Sequence, residues 1–304
     1  MQHELLKRHG DNPIITPEDM PFLCNAIYNP GAVRFGDKYL LMPRVEDGRR
    51  DNRLHVALSD DGVHFTVEPQ PIALPASERH APFEYHMYDP RITYLEGRYY
   101  IAYCAQDFDE TVRIGLCSTL DFKSFERHPF ITQPWSRNCA LFPEKIRGLY
   151  ARVDRPMSAN SGITWVSYSP DLVHWGQSEP VKARIETWMR DKWGPGPTPI
   201  RTDHGWLLIF HGVWFACNYV YKLGVMLLDL ENPARVIGQF PHFILSPREP
   251  WERVGETHNC VFSNGAIPGQ NGLLHVYYGA ADTCIGLATA PLQDLVDACL
   301  ENRM

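Results

Sequence analysis

A repeat of roughly 55 to 60 residues recurs five times in this chain, and it constrains the fold more than any other feature of the sequence. In each copy a short turn precedes an aromatic or aliphatic predicted strand, and a second predicted strand follows. In the first of these two strands, equivalent positions are Tyr39, Tyr99, Tyr150, Trp206 and Leu273, which are separated by 60, 51, 56 and 67 residues. The later strands align at Ser59, Ser118, Ser169, Leu228 and Thr289, with steps of 59, 51, 59 and 61. Two independent anchors agree on the period, and such a period is the signature of a repeat architecture.

Each copy also begins with a strand marked by proline or glycine. These segments read NPGAVRF, DPRITYL, LFPEKIR, GPTPIRT and CVFSNGAIP. Three or four short strands with period-2 patterning, repeated five times, predict an all-β, five-bladed β-propeller. A β-sandwich is the weaker alternative, because its strands recur without a longer period.

The repeat also decides the number of domains. A length of 304 residues alone suggests about two, but five equal copies predict one domain over residues 1–304. One short amphipathic helix is expected in the C-terminal stretch LQDLVDACLENRM.

Composition excludes several classes of protein. The net charge is −7, from 29 basic and 36 acidic residues without long runs, so there is no electrostatic footprint for nucleic acid. No apolar run approaches the length that crosses a membrane, and the N-terminal stretch lacks the apolar core of a signal peptide. No membrane or nucleic-acid partner is therefore expected.

The eight cysteines point to a reducing compartment. They form no C-x-x-C pair and have no histidine partners at zinc-site spacing, so they are interpreted as free thiols. This pattern predicts a cytoplasmic protein without a bound metal.

Polar residues beside the first strands of the repeats are the candidates for chemistry, because a propeller presents the ends of these strands at its channel. The candidates are Asn29, Arg44, Asp89, Arg91, Arg137, Asn138, Arg155, Lys192, His211 and Asp282. Five of these residues have a simpler interpretation when each is taken alone. Arg44 could pair with Glu46 or Asp47, and Arg155 could pair with Asp154. His211 could be a core histidine, Lys192 could be a surface lysine, and Asp282 could cap a turn. Together they stand at matching places in the repeats, and several cations around one cavity suit phosphate.

Asp89 is the candidate general acid. It precedes a proline, so it could simply start a turn, but Tyr88 and Tyr85 offer an aromatic wall that would favour its protonated form. A pairing with Arg91 would oppose this. If phosphate is the nucleophile in an inverting glycosidic cleavage, no base carboxylate is needed. One acid with a cationic cluster thus favours phosphorolysis over hydrolysis.

Several ordered motifs between residues 12 and 295 resemble glycoside hydrolase family 130. They are Asn29-Pro-Gly-Ala, Arg44-Val-Glu-Asp, Tyr88-Asp89-Pro-Arg-Ile-Thr, Leu141-Phe-Pro-Glu-Lys, Arg155-Pro, Gly194-x-Gly-x-x-Pro-Ile, Gly205-Trp-Leu-Leu-Ile-Phe-His-Gly and Tyr277-Tyr-Gly-Ala-Ala-Asp282. The resemblance implies a five-bladed propeller and an inverting β-mannoside phosphorylase that releases α-D-mannose 1-phosphate.

The resemblance also implies roles for individual residues. Asp89 would be the acid, acting through the 3-hydroxyl of the mannosyl unit. Phosphate contacts would come from Arg137, Arg155, Lys192 and His211, with Tyr221 close by. Asn29, Arg44 and Asp282 would surround the mannosyl unit, and Arg91 and Asn138 are further substrate-binding candidates. Inorganic phosphate would be a co-substrate, and no cofactor is expected.

Departures from the family pattern and two rival functions stay open. The stretch Lys192-Trp193-Gly-Pro-Gly, Phe210, and the shortened segment 157–166 differ from many relatives, and the last bears on the acceptor pocket. The rivals are a β-mannosidase with Glu46 or Asp282 as base and a non-catalytic glycan-binding propeller. The acceptor could be glucose, N-acetylglucosamine or mannose in 1,4 or 1,2 linkage. The surface aromatics Trp214, Phe215 and Trp251 offer a contact for a homo-oligomer.

Overall fold

The structure is a computed structural model that describes residues 4–157 and 162–304. Strands account for 49% of it and helices for 7%, which confirms the all-β prediction. Residues 158–161, part of the shortened segment 157–166, lie outside the described residues.

The strands form four sheets, and the largest has nine strands because Gly31 of β2 (Cys24–Phe35) pairs in parallel with Asn264 of β20 (Val261–Pro268). When this sheet is divided at that bridge, five antiparallel units follow the five sequence repeats. The first unit contains β2 to β6, and the last unit includes β1 from the start of the chain. In chain order the strands of the first two units, preceded by β1, are β1 (Lys7–Arg8), β2 (Cys24–Phe35), β3 (Lys38–Asp47), β4 (Asn52–Leu54), β5 (Ala57–Ser59), β6 (Thr66–Val67), β7 (His86–Leu95), β8 (Arg98–Gln106), β9 (Val112–Thr119) and β10 (Glu126–Arg127).

The remaining three units have the same order of neighbouring strands. The third unit has β11 (Ser136–Leu141), β12 (Tyr150–Pro156), β13 (Trp165–Ser169) and β14 (Gly176–Pro180). The fourth has β15 (Lys192–Pro195), β16 (Ile200–Thr202), β17 (Gly205–Phe215), β18 (Tyr219–Leu228) and β19 (Val236–Gln239). The fifth has β20 (Val261–Pro268), β21 (Leu273–Ala280) and β22 (Cys284–Pro291), and β1 pairs with β22 as its outer strand.

Both α-helices in the described residues are short. The helix α1 (Pro250–Arg253) is a single turn, and α2 (Leu292–Leu300) confirms the predicted C-terminal amphipathic helix. No helix in the described part of the chain is long and apolar enough to cross a membrane.

Two first strands differ from the sequence prediction. In the third unit the strand is β11, which ends at Leu141, so the predicted segment LFPEKIR follows the strand instead of forming it. In the fourth unit the segment GPTPIRT is interrupted between β15 and β16. Pro197 and Pro199 lie in this gap, and proline cannot donate to a strand ladder.

Five buried hydrophobic clusters lie between units. The cluster with Met42 and Ile101 joins units one and two, and corresponding clusters join two to three, three to four and four to five. A fifth cluster, with Leu41 and Tyr277, joins unit five to unit one. Each unit therefore buries both faces against its neighbours in the order of the chain.

The same turn recurs between the third and fourth strands of three units. The Asp61 Oδ1 atom accepts hydrogen bonds from the amides of Val63 and His64 at 2.8 and 2.9 Å. Asp121 and Asp171 do the same in units two and three. A hydroxyl two residues before each aspartate caps the turn, and in unit two this is Thr119. Thr119, and not Ser118, is therefore the structural equivalent of Ser59 and Ser169.

Candidate functional site

The first strands of four units each contain an irregularity in register, and polar residues occupy three of these at positive φ. They are Asn29 in β2, Asp89 in β7 and Asn138 in β11, with φ of 46°, 52° and 59°. Asparagine and aspartate are the side chains that tolerate this conformation best. The extra residue of a bulge re-aims a side chain, which allows these polar groups to leave the apolar packing between units.

Asp89 is buried and one of its carboxylate oxygens is engaged. Its Oδ1 atom accepts a hydrogen bond of 3.0 Å from Asn29 Nδ2 and lies 3.6 Å from Arg44 Nη1. Its Oδ2 atom has no hydrogen-bond partner among the described residues. That oxygen is available to a substrate hydroxyl.

Arg44 is fixed between two aromatic rings. Its guanidinium lies 4.6 Å from the Tyr28 ring centroid and 4.4 Å from that of Tyr88, and its Nε donates to Asn52 Oδ1 at 2.6 Å. Burial would lower the pKa of Arg44, but the nearby Tyr28 and Asp89 groups raise it above its usual value. Arg44 does not pair with Glu46, which is held by Asn25 and Arg50.

Arg91 is fully buried and bonds to backbone carbonyls. It donates to the oxygens of Gly196, Pro195 and Asp89 at 2.8, 3.1 and 2.9 Å. Arg91 therefore makes no ion pair with the Asp89 carboxylate, although the two charges still attract each other. Its contacts tie β7 to the fourth unit, while its substrate-binding role stays a prediction.

The aromatic wall around Asp89 is formed differently from the prediction. Tyr88 is buried, and the guanidinium groups of Arg44 and Arg137 lie 4.4 and 5.8 Å from its ring centroid. Tyr85 is 44% exposed and packs on His86 and Phe108. Tyr88 thus joins the Asp89 side of the site to the predicted phosphate residues.

Arg137, Arg155, Lys192 and His211 form a cluster across units three and four. Arg137 and Arg155 are direct partners in the β11–β12 register, and like charges placed directly opposite each other are destabilising. Arg155 Nη1 donates to His211 Nε2 at 2.9 Å. Because the guanidinium can only donate, Nε2 accepts and the proton of the neutral ring is on Nδ1.

The electrostatics of this cluster follow from burial and mutual repulsion. Burial, together with Arg155 and Arg137, lowers the pKa of Lys192 to about 8. Burial lowers the pKa of Arg155 to about 10, and burial with Arg155 and Arg91 nearby lowers the pKa of His211 well below its usual value. No carboxylate lies within 4.0 Å of the three cations in the part of the chain that the structure describes.

Polar atoms without partners concentrate at the same place. His211 Nδ1 and Arg155 Nε are buried, and neither has a hydrogen-bond partner among residues 4–157 and 162–304. Buried polar groups are normally satisfied. The cluster is therefore positively charged without a nearby carboxylate among the described residues, and an anion bound there stays a prediction.

Tyr221 and Asp282 lie at the margins of this site. The Tyr221 ring centroid is 6.3 Å from that of His211, and burial raises the pKa of Tyr221 above its usual value. Asp282 Oδ2 accepts a hydrogen bond of 2.6 Å from Thr257 Oγ1. Burial raises the pKa of Asp282 above its usual value, and the opposing effect of Arg44 is smaller.

Sequence reasoning missed one residue of the site. Asn264 lies at the irregularity in β20, is 1% exposed, and donates to the Asn29 backbone oxygen at 3.1 Å. The Oδ1 atoms of Asn29, Asn138 and Asn264 lack partners among the described residues. The Asn-Gly pair in CVFSNGAIP, at the place where repeat one has Asn29, is the signal that could have identified it.

No group of three His, Cys, Asp or Glu side chains suited to a metal occurs within the described ranges. The expectation that the protein needs no metal or cofactor stays a prediction.

Comparison with known proteins gives the family. A family model described as β-1,4-mannooligosaccharide phosphorylase matches residues 7–301. The chain belongs to this family, glycoside hydrolase family 130. Within it, a β-1,4-mannooligosaccharide phosphorylase of Ruminococcus albus is 33% identical, over 97% of this chain and 90% of the relative.

Other family 130 members differ in the linkage that their names give. A 1,2-β-oligomannan phosphorylase of Thermoanaerobacter sp. is also 33% identical, over 95% of this chain and 98% of the relative. The solved structure of a β-1,2-mannobiose phosphorylase from Listeria innocua with β-1,2-mannobiose superposes with a TM-score of 0.86. It is 26% identical and covers 97% of this chain and 99% of its own.

Proposed function

We propose that this family 130 protein is an inverting β-mannoside phosphorylase. It transfers the mannosyl unit of a β-mannosyl disaccharide or oligosaccharide to inorganic phosphate and gives α-D-mannose 1-phosphate and a free acceptor sugar. The observation that carries the proposal is the cluster of Arg137, Arg155, Lys192 and His211, which has no carboxylate partner among the described residues and is linked to Asp89 through Tyr88. The names of the relatives agree with it.

The chemistry needs one acid and one bound phosphate. A phosphate oxygen attacks C1 of the mannosyl unit, the bond from C1 to the glycosidic oxygen breaks, and the configuration at C1 inverts. The leaving oxygen receives the proton that Asp89 supplies from Oδ2 by way of the mannosyl 3-hydroxyl. The cations hold the nucleophile in line, so no base carboxylate takes part.

In this proposal the five units are the blades of a five-bladed β-propeller that forms one domain over residues 1–304. The five clusters between successive units, including the one between units five and one, support it. The first strand of each blade then lines the channel, where the bulges of β2, β7 and β11 direct Asn29, Asp89 and Asn138 towards the substrate.

Hydrolysis is the rival reaction, and it needs a free carboxylate to act as the base. Glu46 is held by Asn25 at 2.8 Å, and Asp282 is held by Thr257 at 2.6 Å. A hydrolase would also have no use for three cations without partners. Inorganic phosphate is therefore the co-substrate in this proposal.

The compartment and assembly are part of the same proposal. All eight cysteines are free and seven are buried, which suits a reducing cytoplasm. Trp214 and Phe215 are 39% and 54% exposed at one end of β17 and offer a surface for self-association. With a net charge of −7, no nucleic-acid partner is proposed.

A product assay tests the function. The purified protein is incubated with β-1,4- and β-1,2-linked mannosyl disaccharides, with and without inorganic phosphate, and mannose 1-phosphate and free mannose are measured. Mannose 1-phosphate that forms only with phosphate is the expected result, and the active disaccharide names the acceptor and linkage. Free mannose released at a rate independent of phosphate would overturn the proposal in favour of a hydrolase.

A further inference from the structure

A cavity of about 360 Å³ lies on the third unit, and none of the predicted site residues lines it. Its rim includes the exposed residues Gln133, Trp135 and Ser178, and its floor includes the buried residues Arg152 and Asp154. The volume is within the range of about 300–1,000 Å³ that is usual for small-molecule sites. The cavity therefore has the size and access of a ligand site.

The floor of the cavity contains a buried ion pair of Arg152 and Asp154. Asp154 is 2% exposed and Arg152 is 6% exposed. Asp154 Oδ2 accepts from Ser136 Oγ at 2.9 Å, but Asp154 Oδ1 and Arg152 Nε have no hydrogen-bond partners among the described residues, and these two atoms are 3.7 Å apart. The two atoms face each other as an ion pair and have almost no accessible surface. They therefore set the charge of the floor and are not themselves open to a ligand.

The walls contain three indole rings. Trp135, Trp165 and Trp175 line the cavity, and Trp135 is 50% exposed. Arg152 lies 4.4 Å from the Trp175 ring centroid, which fixes that wall against the floor. Indole faces offer a large apolar surface, and a few polar groups beside them set the orientation of a ligand.

The charge of the floor selects a neutral ligand. The Arg152 guanidinium is opposed by the Asp154 carboxylate at 3.7 Å, in contrast to the uncompensated cations of the phosphate cluster. A pyranose has apolar C–H faces and a rim of hydroxyls, and each hydroxyl donates and accepts. Its faces match the indoles, and its hydroxyls match the exposed polar side chains of Gln133 and Ser178 at the rim.

We propose that this cavity is a second saccharide-binding site. It holds one neutral pyranose unit of an oligosaccharide by stacking against the indoles and by hydrogen bonds between the ring hydroxyls and the exposed side chains of Gln133 and Ser178. The site is separate from the mannosyl and phosphate groups and takes no part in bond cleavage. It would keep the protein in contact with longer saccharide chains between turnovers.

The test is calorimetric titration with β-1,4-mannotriose in phosphate-free buffer, where phosphorolysis cannot proceed. Wild-type protein is expected to show two classes of site. Trp135→Ala is expected to weaken one class by about tenfold or more, while Trp135→Phe keeps an aromatic wall and restores most of the affinity. Tyr94→Ala removes a similarly exposed aromatic residue outside the cavity and serves as the matched control.

The outcomes separate this inference from the proposed function. A single class of site that is lost in Trp135→Ala would support the cavity and count against saccharide binding beside Asp89. A single class that Trp135→Ala leaves intact, or two classes that both survive this change, would overturn the cavity proposal and leave a water-filled cavity. Equal thermal unfolding midpoints for the variants check that affinity, and not folding, has changed.

Discussion

Lys192 is the cation of the site whose charge is most sensitive to pH. Its ammonium lies 4.4 Å from the Tyr219 ring centroid and 5.3 Å from that of Tyr221. Burial and the neighbouring arginines favour its neutral form. Phosphate binding has the opposite effect, because the anion stabilises the ammonium. Proton binding by Lys192 and phosphate binding are therefore coupled.

The first prediction concerns this coupling. Because the pKa of free Lys192 is about 8, the affinity for phosphate should fall as the pH rises from 8 to 9.5. The expected slope approaches a tenfold loss per pH unit. Phosphate Kd values measured by calorimetry between pH 7 and 9.5 check this.

Lys192→Met is the comparison for that titration. Without the ammonium, phosphate binding should be weaker and nearly independent of pH in the same range, since Arg155 keeps its proton below a pKa of about 10. A wild-type Kd that stays constant up to pH 9.5 would contradict the prediction.

The second prediction concerns Asp89. Asp89→Asn preserves shape, tolerates the φ of 52° and can still accept from Asn29, but it has no proton to supply. The kcat for phosphorolysis should fall by about 10²–10⁴-fold, while the Kd for the disaccharide changes less than about tenfold. Steady-state kinetics and calorimetry measure the two quantities.

Asp203→Asn, in an exposed turn, is the control for the loss of one carboxylate. If Asp89→Asn keeps its kcat, Asp89 is not the acid. If both wild-type protein and Asp89→Asn bind saccharide but neither of them cleaves it, the protein is a glycan-binding propeller.

For individual residues, the sequence predicts which side chains are candidates for the site better than it predicts which groups they contact. Asp89, Arg137, Arg155 and His211 could be proposed from the sequence because ionisable residues within apolar strand patterns are conspicuous, and their roles stay predictions. Arg91 was predicted to bind substrate, and its carbonyl partners at Pro195 and Gly196 could not be predicted because they are more than a hundred residues away. Asn264 was missed because its role depends on contact with Asn29 across units one and five.

At the scale of elements, the repeated turn stabilises the boundary between the third and fourth strands of a unit. Asp121 accepts amide hydrogen bonds of 2.9 Å from both Lys123 and Ser124, and these contacts lower its pKa to about 2. β10, which follows this turn, has only two residues. A short outer strand therefore depends on the turn for its position.

The third prediction removes that turn. Asp121→Ala should lower the thermal unfolding midpoint at pH 7, because two amides lose their acceptor. The carboxylate has a lowered pKa in the folded state, so its contribution is present above about pH 4 and is lost as the pH falls towards 2. The difference between variant and wild type should shrink over that interval, as followed by circular dichroism.

Asp109→Ala provides the matched change at an exposed aspartate, and its midpoint should follow that of wild type at every pH. A constant difference between Asp121→Ala and wild type from pH 7 to pH 2 would show that the charge of the turn is not what stabilises it.

The sequence predicts the long strands well and the irregular ones poorly. Period-2 patterning located β8, β17 and β21, whose hydrophobic residues face buried clusters. It misplaced β11 because Leu141-Phe-Pro is apolar enough to resemble a strand, although the ladder with β12 ends at Leu141. Bulges leave no periodic trace, so the positive φ of Asn29, Asp89 and Asn138 could not be predicted.

At the scale of the whole molecule, the start of the chain completes the last unit. β1 pairs with β22, and Leu6 packs in the same cluster as Leu295 and Cys299 of α2. The Arg8 guanidinium donates two hydrogen bonds of 2.8 Å to Glu252, whose side chain is fully buried. Tyr278 also donates to Glu252, at 2.9 Å. This polar network joins residues more than 240 positions apart.

The fourth prediction breaks the network. Glu252→Gln removes one of the two carboxylates that bind Arg8 and leaves the other, Glu4, at 2.9 Å. It should destabilise the fold by about 2 kcal/mol, the usual contribution of hydrogen bonds to a charged group. The exposed pair of Arg98 and Glu126, at 2.8 Å, offers a control, since Glu126→Gln should cost less than about 1 kcal/mol. Urea unfolding measures both, and equal costs would show that the buried pair has no special part in joining β1 to the fifth unit.

The pairing of β1 with β22 has a consequence for synthesis on the ribosome. Residues 7 and 8 are made about 280 residues before their partners Thr289 and Ala288. At about 5–20 residues per second, β1 waits roughly 14 to 56 seconds for its sheet. During that time Leu5 and Leu6 are without their native contacts, so a nascent chain of this protein presents two exposed leucines that chaperones can bind until β22 emerges.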